Sequence, residues 1–508
     1  MRSRPIALLA FLAAFVALVL LHAPLLRLPY YWDEAGYYIP AALDFYRAGL
    51  LIPQGTLPVG HTPLVMIYLG LVWRMFGFSP LVTRSAMILV GAATVASLYA
   101  LGRRVASREV AAWSAVLLAV SPLFFAQSSL VHLDLAAGLF TTLALLTLLQ
   151  RRLVMFALTA SMAVMCKETA VVLLPVAWLV YWRRKSIHPS VSTQKSWLAL
   201  TTPLLPLFAW AAYYHHATGY WTGNREYLAY NLYSTLVPGR IFWGLLRRLY
   251  EIFIAGFNWL LVSGAVLGAW WQRRQLGKSQ KLSSGTQEQL QHEFFLLAGG
   301  LTALYLGLLS VVGGAILPRY LLPVVPLLIP VAVILVWRLP RRVARGVCLL
   351  VVGCFVCAWF INPPYPFPFE DNLAYVDFVR LHQQAAKFLE AQRGQPRVLT
   401  AWPASDELTR PFLGYVYMPL RVVAVESFAA GDFHDVAPNS FDLLYVYSRK
   451  WEPRNNWVMR FSWWRRAQER YFDYQPQIPE EMLAARYRLR LLQRFERRGQ
   501  WAGIYARR

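Results

Sequence analysis

The stretch HLDLAAGLFTTLALLTLLQRRLVMFALTASMAVMCKETAVVLLPVAW, residues 132–178, decides the fold. Two apolar runs are separated by Arg151 and Arg152, and a third begins after Lys167 and Glu168. Charge is expensive at membrane depth and harmless in a loop. Apolar runs joined by short charged turns therefore describe a chain that crosses a bilayer repeatedly.

Outward from this stretch the pattern repeats. Basic clusters lie at Arg103, Arg104 and Arg108, at Arg151 and Arg152, and at Arg183, Arg184, Lys185 and Lys195. Two more follow, at Arg273, Arg274, Lys278 and Lys281, and at Arg338, Arg341, Arg342 and Arg345. They alternate with polar segments that lack such clusters: 30–79, the turn near His132, the turn at Lys167, 215–251 and 313–320. With the basic loops inside, this alternation threads about eleven transmembrane helices. Met1-Arg2-Ser3-Arg4 precedes an apolar run over residues 6–26, longer than a signal-peptide core. It reads as an uncleaved first span with a cytoplasmic N-terminus, and an odd number of spans places the C-terminus outside. Two outer loops are long, 27–80 and 215–253, and their mixture of aromatic and single charged residues predicts interfacial amphipathic helices.

Composition agrees. Of 508 residues 57% are hydrophobic and only 15% charged, against about a quarter charged in soluble proteins. A soluble enzyme, a disordered chain and a fibrous protein are excluded. The 20 Trp, 27 Tyr and 28 Phe suit the water–lipid boundary. Lys and Arg number 50 against 26 Asp and Glu, a formal +24. Much of that excess sits in the short inner loops, which argues for topology and against a nucleic-acid partner. Cys166, Cys348, Cys354 and Cys357 lie in or beside apolar runs with no CxxC pair, so neither a disulfide framework nor a zinc site is indicated.

Residues 1–361 thus form a polytopic α-helical membrane module. INPPYPFPFEDN (361–372) breaks the pattern as a Pro-rich linker. Beyond it, in 362–508, no run can span a bilayer. Helical periodicity over 377–393 alternates with strand-like segments at 397–401, 421–425, 441–448 and the final WAGIYARR. This predicts a compact α/β domain, extracytoplasmic by the topology above.

The ionisable groups at the outer ends of the spans need explaining. In YYWDEAGYY (30–38), Asp33 and Glu34 are adjacent acids among aromatics. They are either solvated loop acids beside anchoring rings, or a carboxylate kept basic at a low-dielectric boundary. His61, in GHTPL (60–64), marks a turn before a helix or a contact to a substrate phosphate. His132 and Asp134, in VHLDLAAG (131–138), sit where one span turns into the next. Asp134 is either a helix cap or a second acid facing the cavity of Asp33. Lys167 and Glu168 form a turn with a snorkelling lysine, or present a cation to an anionic head group. Arg319 is the sole charge between two apolar runs, beside Tyr320. It is an interfacial anchor or a bidentate phosphate ligand. Arg225 and Asn231 are weaker candidates of the same kind. Together these residues place two acids and several cations at one face of a helical bundle, a cavity for an amphipathic anion with an acid available as general base.

The ordered set Asp33-Glu34, HTPL, HLD, KETA and PRYLLPVVP resembles the polyprenyl-phosphate-sugar-dependent glycosyltransferases of the GT-C fold. It is most similar to the branch containing protein O-mannosyltransferases and the lipid A aminoarabinose transferase, over residues 1 to about 340. The resemblance implies that Asp33 is the catalytic base and that Asp134 is a second acid near donor or acceptor. It implies that Lys167 and Arg319 approach the lipid-linked phosphate. One departure is that aminoarabinose transferases carry Lys-Pro-Pro-Leu where this chain has His61-Thr62-Pro63-Leu64, and a histidine need not be charged at neutral pH. The expected reaction is inverting transfer of a sugar from a polyprenyl-phosphate donor to the hydroxyl of an acceptor protein, lipid or glycan, at the outer face of the cytoplasmic membrane. Cations can neutralise the leaving phosphate, so no metal is required, although Asp33-Glu34 could hold a divalent ion. A transporter or flippase of polyprenyl-linked glycans would share the spans and the cationic cavity. It would be expected to show broken central helices or repeats. A membrane-anchored scaffold would not need so many spans.

Overall fold

The computed structural model describes residues 3–187, 193–276, 286–452, 457–472, 474 and 476–507. Lys278 and Lys281, from the fourth basic cluster, lie outside the described residues.

Helices dominate the first 360 residues. In chain order they are α1 (Ser3–His22), α2 (Ile39–Ala48), α3 (Leu64–Phe76), α4 (Pro80–Val105), α5 (Arg108–Val120), α6 (Pro122–Gln127), α7 (Leu133–Leu149), α8 (Leu153–Cys166) and α9 (Leu173–Ile187). There follow α10 (Thr193–Thr201), α11 (Leu204–Thr218), α12 (Arg225–Asn231), α13 (Pro238–Phe253), α14 (Asn258–Leu276), α15 (Thr286–Val311), α16 (Val325–Val336) and α17 (Arg341–Ala358). The starts of α4 and α5 are set locally. The hydroxyls of Ser79 and Ser107 accept from the backbone N–H three residues on, relieving donors that a helix start leaves unpaired.

Among the described residues, Leu8–Leu25, Pro80–Val105 and Gln287–Val311 are each long and apolar enough to cross a membrane. Pro238–Phe253 with Ala255–Gln275 forms a further candidate bent by 43°. Leu64–Phe76, Leu133–Leu149, Leu153–Cys166 and Val325–Val336 are apolar but shorter than the ~20 residues a bilayer needs. The helices therefore do not by themselves count out the eleven spans expected from the charge alternation. In the bundle, α4 packs against α1, α5 and α7, and α7 against α8.

The two long segments expected to be outer loops differ from each other. In 27–80 only α2 is amphipathic in character, while α3 is apolar except for Arg74 in its last turn. In 215–253, α13 buries Arg240, Gly244, Arg248 and Glu251 and exposes Phe242, Leu246 and Phe253. Its charges face protein and its apolar residues face outward, which suits a helix seated between bundle and lipid.

The C-terminal part is an α/β unit. Helix α18 (Ala374–Glu390) packs on a five-stranded sheet ordered β2-β1-β3-β5-β4. Its strands are β1 (Val398–Ala401), β2 (Val422–Val425), β3 (Leu443–Tyr447), β4 (Leu489–Arg497) and β5 (Gln500–Arg507). β1 runs parallel to β2 and β3, and β5 antiparallel to β3 and β4. The four strands read from sequence are present. β4 has no counterpart among them, because its burial alternates irregularly across a bulge and its charge count masks the pattern.

This unit grips the start of the segment 27–80. Tyr30 donates its N–H to Leu413 O at 3.2 Å, and Tyr415 Oη donates to Tyr30 O at 3.0 Å. Trp32 meets Phe378 and Trp402 edge-on. Gly36 lies so close to Trp402 that a Cβ there would stand 2.9 Å from Cζ2.

Candidate functional site

Asp33 follows Trp32, whose φ of 45° is left-handed, a conformation a bulky residue adopts only when its surroundings hold it. The ring contacts to Phe378 and Trp402 provide that hold. Asp33 is partly exposed, and its Oδ2 accepts from Arg319 Nη2. No partner is recorded for Oδ1 among the described residues.

Arg319 sits in the turn Pro318–Leu321 and is 1% exposed. Its Nη1 donates to Glu370 Oε2 at 2.6 Å and to His132 Nε2 at 3.0 Å. Its Nε and Asp134 Oδ2 face each other across 3.9 Å, and neither has a hydrogen-bond partner. Asp134 stands in the first turn of α7, and Oδ1 accepts from Lys167 Nζ at 2.6 Å. The Lys167 ammonium lies 4.0 Å from the centroid of the Tyr320 ring, a favourable cation–π distance. The turn carrying Arg319 can approach α7 because residue 138 is glycine. A Cβ there would stand 2.9 Å from Leu322 O.

Asp33, His132, Asp134, Lys167, Arg319 and Tyr320 therefore form one contiguous cluster, as the sequence motifs anticipated. Glu34 lies beside it but points elsewhere. It is fully buried and accepts from Tyr31 N at 2.8 Å, Val131 N at 2.6 Å, and Arg84 Nη1 and Nη2 at 3.3 and 3.2 Å. The adjacent acids are thus divided between two guanidiniums, Arg319 on Asp33 and Arg84 on Glu34. Among the described residues no group of three or more His, Cys, Asp and Glu is arranged to hold a metal.

His61 and Glu168 form a second pair, Nδ1 to Oε1 3.0 Å, with Tyr227 edge-on to the imidazole. Desolvation pushes the Glu168 carboxyl up, but the His61 ring and Lys167 outweigh it and hold it down to about 2. Beside His61 and Tyr38 opens a narrow cleft of about 30 Å³, lined largely by apolar and aromatic residues including Tyr37, Phe45, Leu57 and Trp210. Arg225 is exposed on α12, and among the described residues no hydrogen bond or ion pair joins it to the acid cluster. Asn231 closes a loop instead, its Oδ1 accepting from Gly314 N at 3.0 Å.

Four buried polar side chains in or beside the cluster were not foreseen. Arg84 was findable, being a charge inside the apolar run that became α4. Arg248 is completely buried, donates Nη1 to Leu317 O at 2.7 Å, and leaves Nε and Nη2 without partners beside Tyr320. In sequence it was one of several charges in an amphipathic stretch. Glu370 lies in the Pro-rich segment read as a linker, with no local signal. Gln127 donates Nε2 to Glu370 O at 3.0 Å, and its Oε1 stands 2.5 Å from His132 Nδ1. Burial pushes the Glu370 carboxyl up, Asp33 and Asp134 add to this, Arg319 opposes it, and the result is about 7.

The chain is mostly helical, with apolar helices long enough to cross a membrane and a C-terminal α/β unit, and its fold is that of the GT-C neighbours described next. Two comparisons bear out the resemblance seen in the motifs. Residues 60–214 match the family model described as dolichyl-phosphate-mannose-protein mannosyltransferase. Almost the entire chain superposes on the crystal structure of ArnT from Cupriavidus metallidurans bound to undecaprenyl phosphate. The TM-score is 0.56 and the identity 13%, covering 98% of this chain and 97% of that one. The apo structure of the same protein matches equally, with TM-score 0.55, identity 14% and coverage of 98% and 97%. No curated protein matches the chain by sequence.

Proposed function

We propose that the chain is an inverting glycosyltransferase that moves a sugar from a polyprenyl-phosphate donor to an acceptor hydroxyl at the outer face of the cytoplasmic membrane. The observation that carries this reading is the convergence of Asp33 and Asp134 with Arg319 and Lys167 in one cluster. The family match over 60–214 and the likeness to a protein crystallised with undecaprenyl phosphate support it.

The acceptor hydroxyl approaches Asp33, whose Oδ1 is free to take the proton while Arg319 anchors Oδ2. The oxygen attacks the anomeric carbon, and the bond to phosphate breaks on the opposite face. Negative charge grows on the leaving phosphate as that bond lengthens. Lys167 and the unpartnered N–H groups of Arg248 are fixed donors near Tyr320. Donors already oriented before the reaction stabilise such charge without reorganisation, each worth roughly 10²–10³ in rate. The apolar and aromatic side chains lining the cleft beside His61 offer a surface to the isoprenoid or an amphipathic acceptor. In this reading the N-terminus is cytoplasmic, the α/β unit lies on the outer side, and no metal takes part in a step.

Proteoliposomes loaded with polyprenyl phosphate carrying a radiolabelled sugar test the reading. Label appearing in an extracted acceptor fraction supports it. Label that crosses the bilayer while still attached to the prenyl phosphate points to the flippase.

A further inference from the structure

The segment joining the bundle to the α/β unit supplies a side chain to the centre of the site, and the geometry points to a specific task for it. We propose that Glu370 is a positioning residue for the transfer reaction, holding the Arg319 guanidinium so that Nη2 remains directed at Asp33. The role rests on the proposed transfer reaction.

Arg319 has several acids within reach. Asp33 takes Nη2, and Asp134 stands 3.9 Å from Nε. An arginine shared this way can rotate toward either acid. Glu370, 2% exposed, accepts from Nη1 at 2.6 Å and removes that freedom. Glu370 is itself fixed by Gln127, which donates Nε2 to its backbone oxygen at 3.0 Å. With Nε2 so used, Gln127 Oε1 accepts the Nδ1 proton of His132 at 2.5 Å. His132 Nε2 is then a lone pair, and it accepts from Arg319 Nη1 at 3.0 Å. The four residues close a ring: Glu370, Gln127, His132, Arg319. Donor meets acceptor at each of its four links, with Arg319 Nε and Glu370 Oε1 left outside the ring, and a buried network joined in this way restricts the geometry of its members.

The ring ties the site to the α/β unit. Glu370 precedes α18, whose Tyr375 and Phe378 pack on Tyr31, two residues before Asp33. The base and the residue orienting its partner are therefore placed by the same docking contact. The clamp also depends on ionisation. The titratable or charged groups facing Glu370 are Tyr31, Asp33, His132, Asp134, Arg319, Tyr320 and its neighbour Asp371. Glu370 holds its charge above about pH 7, so the clamp tightens as pH rises through neutrality.

The test uses the full chain in proteoliposomes, with E370A and E370Q matched to the parental protein by size-exclusion profile. The parental kcat is expected to rise through a limb near pH 7. E370A should lose roughly 10- to 100-fold in kcat, the range expected for a misplaced catalytic group, with KM for the donor within about threefold of the parental value. E370Q, nearly isosteric and still an acceptor, should fold normally, regain part of the rate and lack the limb near pH 7. A parental chain that transfers sugar while E370Q keeps both its kcat and its pH limb overturns this inference alone. A parental chain that transfers nothing overturns the proposed reaction, and this role with it.

Discussion

Arg319 and Asp33 stand 286 positions apart in the chain, and Arg319 Nη2 donates to Asp33 Oδ2 in a largely buried ion pair. The pair joins the segment 27–80 to the turn that follows α15. It places a carboxylate and a guanidinium side by side at one end of the bundle, with a second acid and a second cation behind them.

Arg319 serves three partners through a planar fork. A lysine keeps the charge but is a point donor without that geometry. R319K should therefore lose at least ~10²-fold in kcat/KM, measured as initial transfer rates in detergent on protein with a parental elution profile. Parental kcat/KM in R319K would show that charge alone matters.

Lys167 and Asp134 form a buried pair, Nζ to Oδ1 2.6 Å. Removing one partner strands the other in low dielectric, at a cost of about 3–5 kcal/mol, whereas removing both is far milder. K167M alone should lower the thermal midpoint markedly, and the double variant K167M/D134L should recover most of it. Both should remain inactive, because the proposed reaction sets Lys167 against the leaving phosphate and makes Asp134 the second acid. Recovered activity in the double variant would assign the pair to stability only.

Gly138 permits the approach of the Arg319 turn to α7, with Leu322 O 2.9 Å from where a Cβ would be. The obstructing atom is backbone, so the turn itself must shift in G138A. Transfer should fall roughly 10- to 100-fold with Arg319 and Asp134 both present, while G353A, at a glycine with open space around it, should be neutral. Equal activity in the two would contradict the packing argument.

Glu168 titrates at about 2 in the folded chain, below the ordinary carboxylate range. A carboxyl held down by folding contributes stability above its unfolded pKa and loses it as pH falls through the folded one. Unfolding midpoints should therefore drop from about pH 4.5 toward pH 2, and H61A, lacking the ion-pair partner, should show a shallower drop. Parallel curves for the two proteins would exclude the His61 ring as the cause.

Much of the site was legible because membrane depth penalises charge. Each ionisable group left at the outer end of an apolar run, Asp33, Asp134, Lys167 and Arg319, needed a reason, and they meet in one cluster. Arg84 obeyed the same rule and was overlooked inside α4. What sequence could not carry was the pairing. Asp33 and Glu34 are neighbours in the chain, yet the wide turn at 34–38 sends one to Arg319 and the other to Arg84. Glu370 was hidden for a different reason. Its segment has the composition of a linker, and its contact with Arg319 exists only once the α/β unit is docked on Tyr30–Trp32. Span counting suffered because several bundle helices are shorter than a bilayer crossing, so charge alternation and helix length do not report the same number.

The most direct measurement is single-turnover transfer of labelled sugar from a polyprenyl-phosphate donor by the parental chain and by D33N, at equal amounts of folded protein. A general base contributes about 10²–10⁴-fold. The account predicts label in the acceptor with the parental chain and a loss of that order in D33N, with donor binding retained. Transfer by D33N at the parental rate would contradict it.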